Sequence, residues 1–226
     1  MKTYLKLLLV FLSAITANRS YAQFILLKDA TGGGIIFNKD YVDINGSPFF
    51  KAEWLNGTVT LADARVIKDI NVKYDEVVDK PYVRGPQDQT VLLNDKVTEF
   101  SMIDNTGSKT VVRKYKNGFT NIPGFTVDSY FEVLADGKVS FLKKKVKVIT
   151  EDKQYNSAVI TKGFFETTKY YIVSNINSTL VKKDKNSVLA ALSDKQTELD
   201  AFVKANSLNL KDEDDIVKLV DYYNTL

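Results

Sequence analysis

Residues 127–148 have the sequence VDSYFEVLADGKVSFLKKKVKV, and this stretch decides the predicted fold. Asp136-Gly137 is typical of tight hairpin turns, which need residues that tolerate positive φ angles. A three-residue turn at 135–137 would place Leu134 opposite Lys138 and fix the pairing of the flanking strands. The two-residue period of a strand then predicts one buried face, which carries Phe131, Val133, Val139 and Phe141. The other face should be solvated and carry the pairs Asp128–Lys144 and Glu132–Ser140.

The second strand of this hairpin contains the densest group of basic residues, namely Lys143, Lys144, Lys145 and Lys147. On a strand these side chains point alternately to both faces, so they form no continuous stripe for an anionic polysaccharide or lipid headgroups. We expect them to protect an exposed sheet edge against strand addition. The apolar pattern changes parity at Val146, which predicts a bulge or strong twist around Lys143–Lys145.

Further strands are indicated on both sides of the hairpin. Turn dipeptides recur at Asn45-Gly46, Asn56-Gly57 and Asn117-Gly118. The β-branched and aromatic runs are Pro48–Trp54, Thr58–Leu61, Val91–Leu93, Tyr130–Leu134 and Tyr170–Val173. Because these runs have the length of strands rather than of helices, residues from about 35 to 173 are predicted to be antiparallel β structure.

The period of the apolar residues changes near Ser187, where helices are predicted. Ser187 should cap a short helix, and Ser193 with Gln196 has the spacing of a capping box for a second one. The apolar residues of these two helices are Val188, Leu189, Leu192, Leu199, Phe202 and Val203. A last helix should begin near Asp212, and its apolar stripe consists of Ile216, Leu219, Val220 and Tyr223.

Together these patterns predict a mainly β fold, an antiparallel sheet or meander of short strands with two or three C-terminal helices packed on it (α+β by content). We expect residues 23–226 to form a single domain, in which 187–226 is the helical segment. No repeat and no low-complexity linker divides the chain.

Residues 1–22 are predicted to be a cleavable signal peptide. Lys2 and Lys6 precede an apolar run at 7–17, which is shorter than the roughly 20 residues that a membrane-spanning helix needs. Small residues at Ser20 and Ala22 predict cleavage before Gln23. The removed segment carries the whole formal charge excess of +3, so the mature chain should be neutral. It therefore lacks the basic excess that favours nucleic acid as a partner.

The composition excludes several classes of chemistry. The chain has neither cysteine nor histidine, which excludes disulfides, lipid-modified cysteine, thiolate catalysis, zinc or iron–sulfur sites on sulfur, and a Ser-His-Asp triad. We predict no catalytic residue, no cofactor-binding residue and no metal ligand. The glycine cluster at 31–34 lacks the lysine and the spacing of a nucleotide-binding loop and is expected to lead into the first strand.

Carboxylates are the remaining route to hydrolysis. Asp128 and Glu132 would lie about 13 Å apart along a strand, farther than the roughly 5–10 Å between the two carboxyl groups of glycosidases. The acidic residues Asp75, Glu76 and Asp79 are expected to be solvated turn charges. The acidic run 212–215 lacks the ligand spacing of a calcium loop and indicates the start of a helix.

Aromatic residues are numerous and are expected to serve core and interface packing, although some could form a sugar-stacking platform or line an apolar pocket. They include Phe49, Phe50, Trp54, Phe164, Phe165, Tyr170, Tyr171, Tyr222 and Tyr223. Adjacent aromatic residues on a strand place one ring on each face, so about half of these rings should face outward or lie under the helices.

The chain resembles a group of uncharacterised exported β-rich proteins of Bacteroidetes-type bacteria. The resemblance rests on Ser20-Tyr21-Ala22-Gln23, Gly46-Ser47-Pro48-Phe49, Trp54-Leu55-Asn56-Gly57-Thr58-Val59, the hairpin Tyr130–Phe141 and Tyr222-Tyr223-Asn224. It implies a periplasmic or secreted setting and supplies no catalytic residue.

We therefore expect a soluble, non-enzymatic protein of the bacterial envelope, not an integral membrane protein, that acts by binding or structural association. Its partner would be another envelope protein or a glycan. The alternative is a carbohydrate-active hydrolase that uses a pair of carboxylates from distant strands.

Overall fold

The computed structural model describes residues 41–85, 88–105, 107–153 and 160–226. The predicted signal peptide and the glycine cluster at 31–34 lie outside the described residues. Within the described residues, eleven strands form one sheet. Its strands are β1 (Ile44–Asn45), β2 (Leu55–Leu61), β3 (Val66–Asp75), β4 (Lys80–Arg84), β5 (Thr90–Val91), β6 (Val97–Asp104), β7 (Val111–Lys116), β8 (Phe131–Ala135), β9 (Ser140–Lys153), β10 (Ile160–Val173) and β11 (Ser178–Val181). The prediction of a mainly β protein is confirmed.

The sheet is a meander with one rearrangement. Its strand order is β1-β10-β9-β8-β7-β6-β2-β3-β4-β5, and β11 pairs with β10 beside β1. The pairs are antiparallel except β1 with β10, which is parallel, so the sheet is mixed. The sheet also curls, since the amide of Lys147 on β9 donates to the carbonyl of Glu76, just after β3, at 3.0 Å.

The hairpin of β8 and β9 exists, but its predicted register is wrong. Glu132 pairs with Lys143 and Val133 with Leu142, after which a shift at Leu134 places Ala135 opposite Phe141. The bulge therefore lies on β8 and not around Lys143–Lys145, where the pairing of β9 with β10 is continuous. The connection between the two strands is residues 136–139, instead of the predicted three-residue turn at 135–137.

As a consequence, Phe131 and Phe141 lie in different apolar clusters on opposite faces of the hairpin. The expectation of one solvated face is also wrong. The C-terminal helices cover Phe141, whereas Phe119 and Phe125 from the 117–130 loop pack over Phe131 on the other face.

Two other local predictions fail for identifiable reasons. Pro48–Trp54 forms no strand and makes a single bridge between Phe49 and Asp75. Asn56-Gly57 lies inside β2 and not in a turn, at a shift in the pairing with β3. A Cβ atom on Gly57 would collide with the carbonyl oxygen of Ser101 on β6, so glycine permits the close approach of the two backbones.

The C-terminal helices are confirmed and cover one end of the sheet. Helices α1 (Lys185–Ala191), α2 (Gln196–Ala205) and α3 (Glu213–Thr225) follow β11, with a 3₁₀ turn at Ser193–Lys195. The cap of α1 is Asp184, which accepts from the Ser187 amide, and not Ser187 itself. The Ser193–Gln196 capping box does not form, because α2 has no side-chain cap. Asp212 caps α3 as predicted.

Helix α3 also fixes the β8–β9 turn. The side chain of Asn224 accepts from the Val139 amide at 2.9 Å and donates to the Val139 carbonyl at 3.0 Å. Gly137 permits this contact, because a Cβ atom there would lie 2.6 Å from the Asn224 side chain. The end of α3 and the hairpin turn are therefore one packed unit.

Candidate functional site

The four lysines of β9 do not protect an edge, because β9 lies between β8 and β10 inside the sheet. All four make ion pairs. Lys143 contacts Glu213 at 2.9 Å, Lys145 contacts Glu166 at 2.7 Å, Lys144 contacts Asp79 and Lys147 contacts Glu76. The prediction of a protective basic edge is therefore wrong, and the lysines instead connect β9 to distant parts of the chain.

Lys144 is the most buried of these lysines, with a side chain 3% exposed. Its ammonium contacts Asp79 at 2.7 Å and donates to the carbonyl of Tyr130 at 2.8 Å and the hydroxyl of Tyr74 at 3.1 Å. Burial lowers the pKa of Lys144, and the Asp79 carboxylate offsets part of that effect. Burial likewise raises the pKa of Tyr74 well above its ordinary value. Each polar group of this cluster has a partner, so the cluster holds the turn after β3 against β9.

Asp75 and Glu76 are buried, contrary to the expectation of solvated turn charges. One oxygen of Asp75 accepts from the amides of Val77 and Val78, at 2.8 and 3.1 Å. Glu76 pairs with Lys147 at 3.1 Å. Burial raises the pKa of Glu76, and Lys147 opposes this shift.

The ammonium of Lys147 also donates to the carbonyls of Phe49 at 2.5 Å and Ser47 at 3.1 Å. It therefore ties the segment before β2 to β9. No local pattern signals this role, because Lys147 lies 98 and 100 positions from those two residues in the chain.

A cleft of about 310 Å³ carries amide, ammonium and carboxylate groups, and it could bind a small polar molecule. It lies between β4, the β5–β6 loop and the 117–130 loop. Its polar lining residues are Lys80, Asn94, Asp95, Lys96, Asn117, Asp128 and Tyr130.

Both carboxylates of the cleft contact cations. Asp128 pairs with Lys96 at 2.6 Å, and this contact lowers the pKa of Asp128, while Asp95 contacts Arg65. A glycosidase needs one carboxyl group with a raised pKa as its general acid, and Asp128 has the opposite shift. Glu132, the other carboxylate weighed from the sequence, is buried against Arg113 at 2.7 Å and does not line this cleft.

Of the nine aromatic residues singled out from the sequence, Phe165 is the one that is mostly exposed. The others are at least half-buried by neighbours. For example, Phe164 packs on Tyr41, and Phe202 stacks on Tyr222 with ring centroids 4.0 Å apart. These contacts give no row of exposed rings on which a sugar could stack.

Phe165 belongs to a projecting part of the sheet that we call the arm, residues 148–153 of β9 and 160–169 of β10. The arm extends past its neighbours, because β8 pairs with β9 only as far as Lys143 and β1 covers only Lys162 and Gly163 of β10. Exposed apolar side chains are concentrated here, namely Val148, Ile149, Ile160 and Phe165.

Two of these side chains form a cross-strand pair. Phe165 lies opposite Val148, so both stand on the same face, and they are 59% and 47% exposed. The sequence did not distinguish them from core residues, because an apolar residue in a strand is normally buried. Their exposure makes the arm a candidate association surface.

Acidic residues 212–215 begin α3, in agreement with the helix-start interpretation. Across the described ranges, acidic side chains form no group of three that could hold a metal ion. Within the same ranges, each helix is too short or too polar to cross a membrane.

Comparisons with known proteins identify no relative: no family model, no curated protein and no solved structure matches the chain.

Proposed function

We propose that the protein is exported to the periplasm or beyond and acts there, without catalysis, by associating with another envelope protein through the arm. The observation that carries this proposal is the exposed Phe165–Val148 pair on a part of the sheet that projects beyond its neighbours. Exposed apolar groups of this kind commonly mark protein interaction sites, since leaving them in water is unfavourable.

Export predicts a defined N-terminus. Protein isolated from its native host should begin at Gln23, because Ser20 and Ala22 form the small-residue pattern that signal peptidases cleave after. Sequencing the N-terminus by Edman degradation or mass spectrometry tests this. A chain that keeps Met1 would refute export by a cleaved signal.

The association predicts a specific loss of partner binding on Phe165→Ser. The variant should retain its melting temperature, because an exposed side chain contributes little to folding, but should bind its envelope partner about tenfold or more weakly through the loss of a central apolar contact. Affinity capture from envelope extract with quantitative mass spectrometry measures the change.

Val112→Ser is the matched control for that experiment, because Val112 is 63% exposed on β7, away from the arm. It should leave capture unchanged. Equal capture by wild type and Phe165→Ser, or equal losses in the two variants, would contradict a role for the arm.

The cleft supports a second candidate function, the binding of a glycan. Its lining combines the amides of Asn94 and Asn117 with ammonium and carboxylate groups, which can bond to sugar hydroxyls. A carbohydrate-active hydrolase is less well supported, since Asp128 pairs with Lys96 and has a lowered pKa. A glycan array with wild type and Asn94→Ala tests this second function. Glycan binding that Asn94→Ala weakens would be assigned to the cleft and not to the arm, because Asn94 lines the cleft and is not an arm residue.

A further inference from the structure

The outer edge of β10 has a gap between two strands that already pair with it. β1 pairs with Lys162 and Gly163, and β11 pairs with residues 170–173. In the part of the chain that the structure describes, no strand pairs with this edge at 164–169. Residues 165–169 are also exposed, so the gap is open to solvent.

The direction of the backbone groups in the gap follows from the pairing of β9 with β10. Lys147 lies opposite Glu166, and the Lys147 amide donates to Glu76 on the side of β9 away from β10. Residues of an antiparallel pair alternate between bonding to each other and pointing away from each other. Glu166, and Thr168 two residues later, therefore direct their N–H and C=O groups outward. These four groups are a template for another strand.

A cavity of about 270 Å³ lies beside this edge and is lined by Gly124, Phe125, Val146, Thr167 and Lys169. Thr167 and Lys169 stand on the same face of β10 as Phe165. A strand added at the gap would place alternate side chains on that face, next to the cavity. In strand addition, backbone bonds supply affinity and such pockets supply specificity. Phe125 and Val146 make this pocket suited to an apolar side chain.

Charge restricts the partner further. Lys169 is exposed and, within the described residues, contacts no carboxylate, whereas the four lysines of β9 are all paired. Glu166 stands on the opposite face and is engaged by Lys145 at 2.7 Å. The unbalanced charge on the pocket side is therefore positive, which favours an acidic residue in the added strand.

We infer that the edge of β10 at 164–169 binds an extended segment of a partner protein by strand addition, with an apolar side chain in the cavity and a carboxylate against Lys169. This inference rests on the proposed association and specifies how it is made. β1 shows that the same edge accepts an added strand.

The test uses the mature chain, 23–226, and a display library of random peptides of about seven residues, long enough to span the gap at about 3.3 Å per residue. Enriched peptides should be rich in β-forming residues and should carry an apolar and an acidic residue on the same side of the strand.

Thr168→Pro should weaken the binding of these peptides about tenfold or more, because it removes an outward amide. Thr168→Ala, which keeps that amide, should bind within about twofold of wild type.

Both variants should melt close to wild type, because among the described strands none bonds to the outward Thr168 amide, and proline is tolerated at such edge positions. The inference is overturned if no peptide is enriched, or if Thr168→Pro and Thr168→Ala bind equally well. It is also overturned if the chain forms dimers that Thr168→Pro dissociates, since the edge would then bind a second copy.

The two proposals fail separately. Capture of an envelope partner that needs Phe165 but survives Thr168→Pro would leave the association standing and refute strand addition. Peptide binding that needs the Thr168 amide, together with capture that is unchanged by Phe165→Ser, would refute the Phe165–Val148 pair as the association surface and leave the edge as a peptide site.

Discussion

Leu219→Ala should lower the free energy of unfolding by about 2–5 kcal/mol, the range for deleting a fully buried leucine side chain. Leu219 is 0% exposed in the cluster that joins the helices to β8–β10. The same cluster contains Phe141 and Ile172 from the sheet, so the substitution leaves a cavity in the core that helix and sheet share. Chemical denaturation followed by circular dichroism measures the change.

The matched control is Lys218→Ala on the same helix. The Lys218 side chain is 61% exposed and pairs with Asp215 at 2.7 Å, and such an exposed, solvent-screened pair contributes little to stability. A chain shortened to residue 210 should be destabilised more than Leu219→Ala. An unchanged melting temperature after that truncation would mean that α3 is a detachable element that docks on a partner.

Asp79→Asn should destabilise the protein by about 3–5 kcal/mol at neutral pH, because it leaves the buried ammonium of Lys144 without its counter-charge. Asparagine keeps the shape of aspartate and tolerates the left-handed backbone of residue 79, where φ is 57°. The loss of stability in this variant therefore measures the effect of removing the negative charge. As the matched control, Asp128→Asn removes a carboxylate from an exposed pair with Lys96 at 2.6 Å and should leave the free energy of unfolding nearly unchanged, because solvent screens such pairs.

The destabilisation by Asp79→Asn should also shrink as pH rises. Burial lowers the pKa of Lys144 below the ordinary value of 10.5, and loss of Asp79 lowers it further. Between the folded pKa and 10.5 the unfolded chain binds more protons, so the stability of the variant increases with pH across that window. Urea titrations from neutral pH to about pH 10 measure the trend. A pH-independent difference would show that Lys144 is not the group left unpaired.

Local patterns predicted those elements whose residues interact mainly with near neighbours. The stripe of Ile216, Leu219 and Val220 identified α3, since helix periodicity and the Asp212 cap are both local signals. Asp136-Gly137 likewise located the β8–β9 turn.

The register of that hairpin was not predictable in the same way. A single extra residue at Leu134 changes which side chains share a face, and no local signal marked it. The two-sided burial of β8–β10 depends on α3 and on the 117–130 loop, which come from separate parts of the chain.

The buried charges were missed for a similar reason. A lysine or glutamate is exposed by default, and Lys144 is buried because Asp79 lies 65 positions earlier in the sequence yet 2.7 Å away. Conversely, Phe165 was expected to be core or interface packing like the other aromatic residues, and its exposure follows from β10 extending beyond its neighbours. Both outcomes are set by chain topology rather than by composition.

Site-specific photo-crosslinking in the native host tests the role of the arm most directly. A photoreactive phenylalanine analogue replaces Phe165 in one strain and Val112, exposed on β7, in another. The account predicts that position 165 gives one discrete crosslinked adduct with an envelope protein and that position 112 gives none. No adduct from position 165, or the same adducts from both positions, would contradict association through the arm.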